Sequence, residues 1–213
     1  MVLARTIHVS IKLIPVILAL KKDRILWISK EGKNIDEKRF RRNAQRILNT
    51  CISLGPVFIK FGQWLSSRAD ILPQPYLEEL SKLQDSVPAV PFEKVRPIIE
   101  RDIGKIEEKF DDLDQNSLSG ASLGQVHRAT KNGQQVIVKV RRPGIEKQVE
   151  RDLKVLMKII PFAMKFVDPN LRFSIIPIMK QFDESIHEEM DYSKESENLK
   201  KIKKNMESYD NVV

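Results

Sequence analysis

The chain has 213 residues, 41% of them hydrophobic and 31% charged, which fits one or two folded domains and excludes a disordered chain. Its net charge of +8 and pI of about 9.5 suit nucleic acid, anionic lipid and nucleotide phosphates equally, so charge alone selects no partner. The single cysteine, Cys51, excludes an internal disulfide and favours a reducing, cytoplasmic location. Together with His8, His127 and His187 it offers no zinc-ligand spacing, so we expect no metal site and a buried, unreactive thiol.

Residues 1–48 are predicted to form basic helical segments, interrupted near residues 31–34. The apolar stretch from Ile11 to Leu20 is shorter than the roughly 20 apolar residues that span a bilayer. Because cations flank it, the stretch lies either on an anionic membrane surface as a peripheral contact or against the rest of the protein. We favour the second arrangement.

Residues 49–90 carry two helical runs separated at residues 70–75. A linker at residues 87–91 follows, in which two prolines prevent a continuous helix. Within the first run, Lys60 and Gln63 share one helical face. Gly62 between them costs a helix about 1 kcal/mol relative to alanine. The glycine therefore indicates close approach of another backbone or, alternatively, an ordinary contact between helices.

A β-hairpin is predicted for residues 125–140. Asn132-Gly133 is a strong hairpin turn signal, and the alternation of the second strand places its valines on one face and Ile137 and Lys139 on the other. A lysine among apolar strand residues is costly unless it pairs or extends its ammonium group to water. Lys139 is thus either the phosphate-binding lysine of a nucleotide site or a surface lysine.

Small residues open this hairpin. A loop of that kind lets backbone N–H groups approach phosphate oxygens, although its pattern is neither a Walker loop nor a glycine-rich kinase loop, and a plain hairpin entry is the alternative. The candidate nucleotide loop consists of Ser119, Gly120, Ala121, Ser122, Leu123 and Gly124.

From residue 144 to Met206 the chain is predicted to be helical, with a break near residues 167–170. An acidic helix from Glu184 to Glu197 would place Glu188, Asp191 and Glu195 on one face. Like charges at such spacing repel by roughly 0.2–0.5 kcal/mol per pair, unless a lysine or a metal ion lies among them. Lys139 is a candidate partner, and a solvated acidic face is the alternative.

Taken in this order, these motifs resemble the UbiB/AarF family of atypical protein-kinase-like proteins, which is linked to ubiquinone and related isoprenoid-quinone metabolism. The resemblance runs from about Leu54 to the C-terminus, and its most specific parts are a K-x-G-Q motif at residues 60–63 and an E-x-D motif at residues 189–191. It implies an α+β fold: a kinase-like N-lobe, made of a small antiparallel sheet plus helices, preceded by a family-specific helical extension. The implied domains are a basic helical segment (1–48), the K-x-G-Q extension with its linker (49–90) and an N-lobe truncated before the C-lobe (91–213).

The resemblance also implies roles. Residues 119–124 and Lys139 would bind ATP, with Mg²⁺, in the full-length protein, and Glu195 would pair with Lys139. The residues of the two motifs would close the site as a lid over a small or lipid-like substrate such as a quinone precursor, with a contact between the K-x-G-Q helix and the E-x-D acids; these residues are Lys60, Gly62, Gln63, Glu189 and Asp191. No nucleic acid partner is expected.

The family's catalytic loop and metal-binding aspartate have no counterpart in the sequence, so we expect a fragment of an atypical kinase or ATPase that is inactive by itself. The alternative is a basic helical adaptor that binds anionic lipid or nucleic acid. An adaptor explains the cationic cluster at residues 38–46. It does not explain a lysine in an apolar hairpin strand, or the presence of both motifs.

Overall fold

The computed structural model describes residues 2–85, 88–167 and 171–207, and it confirms the α+β class. The break expected near residues 167–170, part of the linker and the C-terminal residues 211–213 lie largely outside this range. The helices are α1 (Val2–Ser29), α2 (Glu37–Leu54), α3 (Pro56–Leu65), α4 (Gln74–Ser81), a 3-10 helix (Lys82–Asp85), α5 (Phe92–Ile103), α6 (Ile106–Lys109), α7 (Ile145–Val167), α8 (Leu171–Met190) and α9 (Tyr192–Met206).

Local sequence explains where the helices of the extension begin and end. Asp36 caps α2 by accepting a hydrogen bond from the backbone N–H of Arg39. This bond satisfies one of the backbone donors that are left free at the start of a helix. Gly55, with φ of 102°, separates α2 from α3 in a conformation that favours glycine. Pro56 then occupies the first turn of α3, where a missing N–H has no cost.

The sheet is antiparallel and is built around the predicted hairpin. Its strands are β1 (Asp112–Leu113), β2 (Ser119–Gly120), β3 (Gly124–Lys131) and β4 (Gln134–Arg141). β4 pairs with β3 along its whole length, whereas the short β1 and β2 pair near the two ends of β3. The Asn132-Gly133 turn is confirmed, with both residues at positive φ, and Val140 is buried while Ile137 is exposed, as the alternation predicted.

Two hydrophobic cores hold these elements. The larger core is formed by helices α1, α2, α3, α4, α7 and α8, and it includes Leu123 from the candidate loop. The smaller core lies between α5 and the sheet and contains Phe92, Val95 and Val140. The predicted boundary after residue 48 falls inside α2, because the buried stripe of that helix continues from Leu48 to Cys51; the three-domain division itself stays a prediction.

Helix α1 is fastened to the other helices by buried polar contacts. Arg5 donates from Nε and Nη2 to the two carboxylate oxygens of Asp152 in α7, at 2.9 and 2.7 Å. Asp23 accepts from the Tyr76 hydroxyl at 2.8 Å and pairs with Arg39 at 2.7 Å. The packing arrangement favoured for this segment is therefore present on one side of α1.

The expectation that the N-terminal apolar segment is too short to span a bilayer is wrong. The helix continues past Lys21 and Lys22 through further apolar residues. By length and composition alone, Leu3–Ser29 is long and apolar enough to cross a membrane. Helices in soluble cores and signal sequences pass the same test.

Candidate functional site

The ammonium group of Lys139 is paired with a carboxylate. Its Nζ lies 2.6 Å from Glu195 Oε2 and 4.7 Å from the ring centroid of Tyr192. The side chains of Lys139 and Glu195 are 34% and 47% exposed, and exposed ion pairs contribute only about 0.2–1 kcal/mol to stability. The predicted contact is confirmed, and we expect it to contribute little to folding.

The prediction of one acidic helix from Glu184 to Glu197 is wrong, because two separate helices meet in the middle of this segment. α8 ends at Met190 and α9 starts at Tyr192. Asp191 caps α9 by accepting hydrogen bonds from the backbone N–H groups of Ser193 and Lys194. A short carboxylate competes well for such free donors and is among the best N-cap residues. Glu188, Asp191 and Glu195 consequently do not share one helical face.

The helical extension contacts the E-x-D segment through one ion pair. Lys60 Nζ lies 2.6 Å from Glu189 Oε2, which confirms the predicted contact between the two motifs. Gln63 does not take part, because its Nε2 donates to the backbone carbonyl of Leu83 at 2.9 Å. Phe61 packs edge-on against Phe182 of α8, so α3 is held against α8 by apolar as well as ionic contact.

Gly62 lies where neighbouring side chains leave no room for a Cβ atom. A Cβ built on it would lie 2.4 Å from Leu83 Cδ1 and 3.2 Å from Cys51 Sγ. The close approach comes from side chains of the 3-10 helix and α2, so the expectation of another backbone is wrong and the alternative, a helix packing contact, is right. Cys51 is buried as expected, and burial raises its thiol pKa to about 12.

The candidate nucleotide loop is a tight connection between two paired strands. Ser119 and Gly120 form β2, opposite Val126 and Gln125, and the N–H of Ala121 donates to the carbonyl of Gly124 at 2.9 Å. Ser122 and Leu123 are the other two residues of the turn, and both are buried. The loop is therefore held in shape by its own backbone and by the core beneath it.

Tyr192 is a site residue that sequence reasoning missed. Its hydroxyl lies so close to Gly124 that an added Cβ would come within 2.4 Å of it. Burial raises the pKa of this phenol to about 12, so it stays protonated at neutral pH. Tyr192 thus lies between the loop and Lys139. No local sequence signal marks it, since its position beside the E-x-D motif gains meaning only when α9 packs on the sheet.

A cleft of about 420 Å³ opens at the junction of β4, α8 and α9, within the range of small-molecule sites. Its lining combines both signs of charge with apolar residues; it consists of Lys139, Glu188, Glu189, Lys194, Glu195, Asn198, Leu199 and Ile202. Among the residues that the structure describes, no group of three or more His, Cys, Asp or Glu could hold a metal ion.

Comparison with known proteins agrees with this geometry. The profile of a family described as "ABC1 atypical kinase-like domain" matches residues 82–213, which include the sheet, the loop, Lys139 and Glu195. The chain belongs to the ABC1 atypical kinase-like family. The resemblance to UbiB/AarF proteins is thereby confirmed, and the candidate nucleotide loop, Lys139 and Glu195 lie within the matched residues.

Relatives with curated descriptions include a "Probable protein kinase UbiB" from Marinobacter nauticus, 41% identical over 157 residues, which span 73% of this chain and 29% of the relative. "Protein ACTIVITY OF BC1 COMPLEX KINASE 8, chloroplastic" from Arabidopsis thaliana is 38% identical over 198 residues, which span 87% of this chain and 26% of the relative. The chain therefore spans between a quarter and a third of the length of these family members.

A solved structure described as the complex of Rv3197 with erythromycin, from Mycobacterium tuberculosis, is also similar. It is 27% identical in sequence, with a TM-score of 0.48, and the match covers 70% of this chain and 38% of that one.

Proposed function

We propose that the chain is the ATP-binding part of an atypical kinase or ATPase that supports isoprenoid-quinone biosynthesis. The observation that carries the proposal is the Lys139–Glu195 ion pair at 2.6 Å, beside a small-residue hairpin loop, in a chain of the ABC1 family. A kinase-like fold uses such a pair to aim the lysine at the α- and β-phosphates. The names of the UbiB relatives support the kinase part of the proposal, and the quinone part rests on the resemblance to the UbiB/AarF family.

Each residue of the site has a proposed task. Lys139 holds the α- and β-phosphates, Glu195 orients its ammonium group, and residues 119–124 cover the phosphates with backbone N–H groups. ATP supplies the transferable γ-phosphoryl group when bound. Mg²⁺ is proposed to accompany the nucleotide, since this ion is commonly held by phosphates and only one or two carboxylates.

The Lys60–Glu189 ion pair supports the proposed lid. It joins the extension to α8 next to the cleft that Lys139 lines. A lid at this position would narrow the entrance to the cleft. A narrow entrance suits a small or lipid-like substrate such as a quinone precursor better than a peptide. Two cations of the cluster at residues 38–46 are already paired within the protein, Arg39 with Asp23 and Arg41 with Glu37 and Glu78, which weakens the case for the rival adaptor function.

The test is nucleotide binding by the full-length protein. Lys139→Met should raise the Kd for Mg·ATP at least about tenfold, since it removes a charge-assisted contact worth on the order of 1.5–3 kcal/mol, and the thermal midpoint should hardly move. Lys131→Met is the matched control, because Lys131 is an exposed lysine at the end of β3 and should leave affinity unchanged. Equal affinities for wild type and Lys139→Met would refute the assignment.

We further propose that α1 attaches the protein peripherally to an anionic membrane, with the remainder in the cytoplasm. The face of α1 opposite its buried residues is apolar and exposed; it carries Leu3, Ile7, Ile11, Ile14 and Leu18. Residues 1–30 contain six Lys or Arg and a single acid, Asp23, and of the six cations Arg5 is already paired with Asp152. A helix with an apolar stripe and nearby basic residues suits the surface of an anionic bilayer. Each basic residue near that surface contributes about 1 kcal/mol to membrane binding.

Sedimentation with vesicles tests this attachment. Binding should require anionic lipid, fall steeply with salt, and be weakened by Ile11→Asp, which places a charge in the middle of the exposed stripe. Leu118→Asp is the matched control, since Leu118 is exposed next to the sheet and far from α1 in the sequence. Equal binding to neutral and anionic vesicles, or equal losses from both variants, would contradict the proposal.

A further inference from the structure

Arg142 joins two segments that are far apart in sequence. It follows β4, and its backbone N–H donates to the carbonyl of Leu123 at 3.0 Å. Its side chain donates from Nε to the carbonyl of Ala121 at 3.0 Å and from Nη2 to the carbonyl of Pro88 at 2.6 Å. One guanidinium group therefore bonds both the candidate nucleotide loop and the linker that leads from the helical extension.

The charge of Arg142 has no carboxylate partner within ion-pair distance in the described part of the chain. Burial lowers the pKa of its guanidinium, because a partly desolvated cation lacks some of its hydration. Two backbone carbonyls replace that hydration. Such an arrangement suits arginine, whose planar fork presents several donors in a fixed geometry, better than lysine, whose ammonium is a single point of charge.

The linker has a second attachment to the strand that follows the loop. The buried side-chain amide of Gln125 accepts from the N–H of Val90 at 2.8 Å and donates to the carbonyl of the same residue at 3.0 Å. Gln125 directly follows Gly124, the last residue of the loop. The linker backbone is thus bonded to both the loop and the first residues of β3, so a shift in either segment strains the other.

We propose that Arg142 is a positioning residue that couples the shape of the nucleotide loop to that of the linker. Nucleotide bound at the loop then stiffens the linker, and disturbance of the linker weakens nucleotide binding by the same factor, since coupling between two sites is reciprocal. The ligand of the loop is taken from the proposed function. The bonds between Arg142, the loop and the linker can be tested without any nucleotide.

The experiment is amide hydrogen exchange on the full-length protein with Arg142→Lys, which keeps the charge and removes the fork. Without nucleotide, the amides of Ala121 and Val90 should both exchange about tenfold faster than in wild type, since each segment loses a charge-assisted hydrogen bond. With Mg·ATP, Val90 should be protected in wild type only, and the variant should bind about tenfold more weakly. Arg128→Lys, an exposed arginine of β3, should behave as wild type.

Three results would overturn the coupling. The first is unchanged exchange at either Ala121 or Val90 in Arg142→Lys. The second is equal acceleration at the buried core residue Leu156 of α7, which would mean that Arg142 acts only on global stability. The third is Mg·ATP binding in wild type that leaves Val90 unprotected. If wild type binds no nucleotide, the proposed function fails, and the nucleotide-free comparison still decides whether Arg142 couples the segments.

Discussion

Replacing Gly62 with alanine places a methyl group where the structure has no space for one. The new Cβ would lie 2.4 Å from Leu83 Cδ1 and 3.2 Å from Cys51 Sγ. Leu83 is fully buried and Cys51 nearly so, so neither neighbour can move into solvent. Overpacking of this kind costs about 1–3 kcal/mol, whereas alanine in a helix gains about 1 kcal/mol over glycine. We expect Gly62→Ala to destabilise the fold by about 1 kcal/mol.

The same substitution should change sign when Leu83 is shortened. Leu83→Val removes the Cδ methyl that the new Cβ would strike, so the gain in helix propensity remains and the steric cost largely disappears. In that background Gly62→Ala should stabilise by up to about 1 kcal/mol. The coupling energy between the two substitutions is then about 2 kcal/mol, well within the range measured for residues in direct contact.

Thermal and urea unfolding of wild type, both single variants and the double variant measure this coupling. A change of 1 kcal/mol shifts the midpoint by about 2–4 °C in a protein of this size. If Gly62→Ala stabilises the protein equally in both backgrounds, Leu83 does not limit the space at residue 62, and the packing explanation of the K-x-G-Q glycine is wrong.

Three further outcomes follow from buried or paired groups. Asp152→Asn should destabilise by about 3 kcal/mol in urea unfolding, because it leaves Arg5 without its buried carboxylate; a cost below about 1 kcal/mol would contradict this. Cys51, whose pKa burial raises to about 12, should resist thiol reagents at pH 8 until urea unfolds the protein, and rapid labelling of native protein would disprove it. Hydrogen bonding to Glu150 raises the pKa of His187 above 6.5, so this pair stabilises the fold below about pH 6.5 and the contribution disappears as pH rises through the raised value. NMR titration should show the His187 pKa falling in Glu150→Gln, and an unchanged value would count against the pairing.

Much of the candidate nucleotide lobe follows from local sequence. Strand alternation placed Lys139 on the face opposite the core valines, and Asn132-Gly133 set the register of β3 and β4, because a two-residue turn at positive φ leaves one way to pair the strands. Gly55 and Pro56 likewise determined where α2 ends and α3 begins. These features depend on backbone conformations that individual residues prefer, and they can be predicted without knowing any distant contact.

Other features depended on which surfaces meet. The spacing of the acidic residues was compatible with one continuous helix. Asp191 instead caps α9, and Glu189 and Glu195 pair with two different lysines. The side chains that crowd Gly62 belong to Leu83, 21 residues later in the chain, and to Cys51, 11 residues earlier. Tyr192 beside the loop carries no sequence signal, and no local pattern shows that Arg142 bonds the loop to the linker. Such contacts join residues whose separation in sequence says nothing of their distance in space, so only the packed structure determines them.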